Sequence, residues 1–122
     1  MFEADFQALV GSFVGDRCWW NKTPPNYVID EPIALLQQVG GKPFQYVEKD
    51  GGVPSHKHGR IMVTLLGKSY AEIAPLARVV ENGIVTSPFV VEVIGAPIAM
   101  DADDDLNIEG TQQQFAVWFA DP

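Results

Sequence analysis

Cysteine is almost absent. Cys18 is the single one in 122 residues, which excludes an internal disulfide. The chain does not open with a charged stretch followed by an apolar run, and together with the lone thiol this predicts synthesis in a reducing cytoplasm. Beside Trp19, Cys18 reads as a small buried hydrophobe and not as a reactive thiol. No apolar run reaches the roughly 18 residues that a membrane-crossing helix requires, so no membrane partner is expected. Basic residues are scarce, 8 against 16 acidic ones, and the net charge of -8 argues against a protein that wraps a phosphate backbone. Passive contact with DNA stays open. Internal repeats are missing too, and a chain of this length is expected to form one domain that buries roughly 65% of its unfolded surface.

Reactive constellations are equally thin. Gly40-Gly41-Lys42 is followed by Pro43 where a phosphate-binding loop needs a helix start. Ser55 has neither a nucleophile elbow nor an oriented acid. His56 and His58 stand two apart, but no further ligand nearby completes a metal site. Asp101, Asp103, Asp105, Asn107 and Glu109 alternate as calcium ligands can. However, Leu106 stands where an EF-hand loop needs glycine and Gln112 where it needs glutamate. No catalytic residue, cofactor or metal site is therefore expected. Asp101, Asp103, Asp104 and Asp105 read as an exposed acidic loop that could face a lumen or a basic partner, since crowding like charges gains folding nothing.

Pattern supplies what chemistry does not. Phe2, Phe6, Leu9, Val10 and Phe13 have helical spacing, with Gly15 as a stop. Arg17 to Trp20 reads as a short strand, and Pro24-Pro25 as stiff backbone suited to an edge or a loop. Extended pieces follow at Tyr27 to Ile29 and Ile33 to Val39, and Asp50 to His58 reads as loop. From Arg60, alternation of Ile61, Val63 and Leu65 predicts a strand. It runs into a helix capped by Ser69 and Glu72, which should kink or restart at Pro75 and stop at Asn82-Gly83. Val90 to Ile94 is β-branched, Gly95 to Pro97 breaks it, and Gln112 to Ala120 closes the chain with Phe115 and Val117 on one face and Gln114, Ala116 and Trp118 on the other. This order predicts an α+β fold in a single domain, a mainly antiparallel sheet of about four to five strands flanked by two helices.

Adjacent tryptophans on a strand must point to opposite faces, so Trp19 and Trp20 cannot share an environment. Either both are absorbed by the core and a second packed layer, or Trp19, Trp20, Trp118 and Gln114 mark a contact between subunits.

In this order the chain resembles the tail completion, or tail terminator, proteins of long-tailed bacteriophages. The resemblance rests on the N-terminal helix, the short strand at Arg17 to Trp20 and the proline-bearing Thr23 to Tyr27 segment. It continues through Val39-Gly40-Gly41-Lys42-Pro43, the strand and helix of Arg60 to Asn82, Ile94-Gly95-Ala96-Pro97 before an acidic turn, and the final Gln114-Phe115-Ala116-Val117-Trp118-Phe119. Pro75 departs from the alanine-rich helix usual there. The resemblance implies a structural virion protein in the tail neck, assembled in the host cytoplasm as a homo-oligomer, usually a hexameric ring. Its partners would be the tail tube protein and the head-tail connector, with DNA passing through the ring. The competing expectation is a small ligand- or protein-binding module without catalysis.

Overall fold

The computed structural model describes residues 2–39, 45–48, 54–103 and 108–120. In chain order these form α1 (Phe2–Gly11), β1 (Cys18–Trp20), β2 (Ile33–Val39), β3 (Gln45–Glu48), β4 (Pro54–Gly67), α2 (Tyr70–Val85), β5 (Val90–Val93), β6 (Ile98–Asp103) and β7 (Ile108–Ala120). The fold is α+β. All seven strands join one sheet, ordered β1-β2-β4-β7-β5, with β3 also on β4 and β6 also on β7. Every pairing is antiparallel except β1 with β2.

The two longest strands, β4 and β7, run side by side from His56↔Ala120 to Gly67↔Glu109 and form the spine. Each is too long for one neighbour, so β2 and β3 share the outer edge of β4, while β5 and β6 share that of β7. Pairing along this spine corrects two expectations. Pro54 to His58, expected as loop, is the first part of β4. Asp101 and Asp103, expected in an acidic loop, extend β6 along β7. Asp104 and Asp105 lie outside the described residues.

Alternation sorts the side chains. Cys18, Ala34, Leu36, Ile61, Val63, Leu65, Phe115 and Val117 are buried on the face that meets both helices. Phe6, Val10 and Val14 from the N-terminal segment and Ile73, Ala77, Val80 and Ile84 from α2 complete this core. The side chain of Gln7 donates to the carbonyl of Cys18 at 2.7 Å and fixes α1 on β1.

Ser69 caps α2 by accepting from the Glu72 N–H at 3.3 Å. The return bond from the Glu72 side chain to the Ser69 N–H is not formed among the described residues; instead a Glu109 carboxylate oxygen at the start of β7 accepts from the next helix-start donor, the Tyr70 N–H, at 2.6 Å. An anion at a helix start is favourable, and this one ties the helix to the spine. Helix α2 neither restarts at Pro75 nor stops at Gly83. Pro75 is exposed, so water can serve the Ala71 carbonyl that its missing N–H leaves unpaired, while Ile73, Ala77, Val80 and Ile84 keep the helix on the sheet. Gly83 is a packing glycine, because a Cβ there would stand 2.1 Å from Cζ of Phe13. The cap falls at Thr86, whose N–H donates to Asn82.

Candidate functional site

Both helices pack on one face of the sheet, and no described helix covers the other. Register places Trp19, Leu35, Thr64, Gln112 and Ile98 in one row across that second face, from the β1 edge to the β6 edge. Beside it runs Gln37, Met62 and Gln114. These two rows are mixed apolar and amide, and in the next row the exposed Arg60 and Glu92 flank Ala116. Thr64 and Ala116 are buried on it by their strand neighbours, whereas Met62, Gln112 and Gln114 stay half-buried.

At the β5–β6 edge the neighbour of β7 is interrupted, and Gly95 takes a φ of 145° that favours glycine. Two bonds hold the interruption in place. The Ile94 N–H donates to the Gln114 carbonyl at 3.0 Å. The Gln113 side-chain amide donates to the Gly95 carbonyl at 2.8 Å. The result is a groove of about 420 Å³ between this connection and the strand surface, lined by residues that include Met62, Ile94, Pro97, Ile98, Gln112 and Gln114. Gln112 and Gln114 make no side-chain hydrogen bond among the described residues, so each offers an amide donor and acceptor to the groove. Ile98 is 69% exposed on its rim.

The opposite edge carries the proline segment. Trp19 points to the second face and meets Tyr27 edge to face, with ring centroids 4.9 Å apart. Asn21 and Asn26 take left-handed φ values of 69° and 61°, which asparagine tolerates better than most residues. Arg17 donates from Nε to the Pro32 carbonyl at 2.9 Å and pairs with Glu31 at 3.1 Å. Lys68 pairs with Asp30 at 3.2 Å. Val28, between these anchors, is 72% exposed.

The aromatic residues singled out in the sequence therefore part company. Trp20 lies on the helix side, packed against the core, with its indole N–H donating to the Glu3 carbonyl at 3.1 Å. Trp19 lies on the second face, as adjacency on a strand demands. Gln114 lines the groove. The side chain of Trp118, and those of His56, His58, Asp101 and Asp103, lie outside the described part. Val28 and Ile98 were not singled out. Their sequence signal is slight: Val28 precedes Ile29 three residues after the Pro-Pro pair, and Ile98 directly follows a Gly-Ala-Pro break.

Cys18 is buried, and loss of hydration pushes its thiol up to about 12, so it is an inert member of the core. No described helix is long and apolar enough to cross a membrane.

No protein-family model and no curated protein sequence matches the chain. The fold does match a chain from the virion of a native gene transfer agent particle. The TM-score is 0.56, with 10% identical residues over 93% of this chain and 86% of that one. Identity this low makes it a likeness of fold alone.

Proposed function

We propose that this chain is a structural virion protein, a tail terminator whose copies form a ring, with six the expected number, at the head-proximal end of a phage-type tail tube. The ring stops tube polymerisation and presents the surface to which the head-tail connector joins. The observation that carries this reading is the fold shared with a virion chain over nearly the whole length. It is supported by a sheet face that no described helix covers and by motifs in the order of the tail terminator family. The chain does no chemistry in this role, and its partners are its own copies, the tail tube protein and the connector. A net charge of -8 suits a channel through which DNA slides without adhering. The protein is assembled in the host cytoplasm and ends in the virion neck.

Deleting the protein from its particle should leave heads unjoined and tails of uncontrolled length in electron micrographs of the lysate. Joined particles of normal tail length would reject the role. The groove favours a second reading, a small ligand- or protein-binding module, because its volume falls in the range of about 300–1,000 Å³ typical of ligand sites. Native mass spectrometry separates the two: a ring stoichiometry supports the terminator, and a monomer that retains a small molecule supports the module.

A further inference from the structure

Two patches combine exposed aliphatic side chains with no charged residue of their own, although the chain as a whole carries -8; Asp30 and Glu31 beside the first are paired with Lys68 and Arg17, and Arg60 and Glu92 stand one row away from the second. One is residues 23–29, with Val28 at its tip. The other is the groove beneath Ile98. Trp19, which props the first, and Ile98, on the rim of the second, are the two ends of one cross-strand row. Four strand spacings of about 4.8 Å put them roughly 19 Å apart.

The geometry points to a head-to-tail contact between copies of this chain, in which the 23–29 segment of one copy enters the Ile98 groove of the next. This rests on the ring reading above and names the surfaces that the ring uses. A closed ring needs a heterologous contact, with two different patches facing different neighbours, and opposite edges of one sheet provide that. A two-fold dimer would need one self-complementary patch.

Charge selects the occupant. Two chains that each carry -8 repel wherever their acidic surfaces face, and they meet with least repulsion where both surfaces are uncharged. Shape and hydrogen bonding agree. Pro24 and Pro25 are exposed and bring no N–H that burial would orphan. The free amides of Gln112 and Gln114 can donate to carbonyls of such a segment. Rigidity agrees as well: the Trp19–Tyr27 contact and the Arg17–Glu31 and Lys68–Asp30 pairs hold the segment before any partner arrives, which lowers the entropy lost on docking.

The test uses full-length protein and two kinds of variant. Val28→Asp should leave the melting temperature unchanged, because the side chain is mostly exposed, and should weaken association about tenfold or more in sedimentation and native mass spectrometry. Under mild oxidation, Val28→Cys mixed with Ile98→Cys should give covalent dimers and nothing larger. The double variant should give a ladder ending at the ring. A wild-type ring with a Val28→Asp ring of equal affinity and no ladder overturns this contact while leaving the terminator reading intact. Crosslinking of Val28→Cys to itself would show a two-fold contact and also overturn it. A wild type that forms no oligomer, alone or on tail tubes, overturns both.

Discussion

Gly110 and Gly67 sit near one end of the spine, and adding one methyl group to each should give different results. A Cβ on Gly110 would stand 1.9 Å from the carbonyl oxygen of Leu65 and 2.9 Å from Cδ2 of Leu66. The first contact is with backbone of the neighbouring strand, so no rotamer change relieves it, and β4 and β7 would have to separate where Leu66 pairs with Gly110. Overpacking costs about 1–3 kcal/mol, and a rigid backbone obstacle places Gly110→Ala at about 3 kcal/mol. Loss of backbone freedom in the unfolded chain returns about 0.4–1 kcal/mol, leaving a net cost of about 2–2.5 kcal/mol. At Gly67 the nearest atom is Cδ1 of Ile73 at 2.8 Å, the end of a side chain that is buried in the core but can turn, as backbone cannot. An off-rotamer shift there costs about 0.5–1.5 kcal/mol before the same entropic return, so Gly67→Ala should be near neutral. With a urea m-value of about 1–3 kcal/mol per molar, the two midpoints should differ by about 1 M. Equal midpoints by circular dichroism would refute the argument from close approach.

Val117→Ala, at a position 0% exposed on the helix face, should cost about 2 kcal/mol or more through lost burial and a residual cavity. Gln114→Ala, on the other face of the same strand, should change monomer stability by less than about 0.5 kcal/mol, and urea unfolding of the pair checks both. Ser69→Ala should cost about 1 kcal/mol, and Glu109→Gln about 0.5 kcal/mol through loss of the anion at the α2 start. The double variant should cost less than the sum, since both groups serve the same helix turn. Cys18 should resist thiol reagents at pH 8 and react only on unfolding. Because its folded value is raised, its contribution to stability is complete below the ordinary thiol range, falls as pH rises from about 9 to about 12, and should appear as a lowered urea midpoint across that window.

Elements with strong local signals were legible in the sequence. The Ser69 cap, the alternation of Ile61, Val63 and Leu65, and the opposed faces of Phe115 and Gln114 all stand where their patterns place them. What failed depended on partners distant in the chain. Ser55 to His58 has the composition of a loop and becomes strand because β7 and β3 flank it. Gly83 has the look of a helix stop and is instead the hollow that receives Phe13. Glu109 sits in what reads as an acidic turn and is the second cap of a helix 39 residues away.

The candidate site shows the same division. Hydrophobic period, capping residues and the Pro and Gly breaks determined the element types and the α+β class, because each acts within a few residues and needs no partner. Adjacency alone forced Trp19 and Trp20 to opposite faces. Which of the two met the helices was decided by the tertiary structure, through the burial of Cys18 between α1 and β2. The tertiary structure also brought Ile94, Ile98, Met62 and Gln114 together as one groove, since register across β4, β7 and β6 is a long-range pairing that no local pattern encodes.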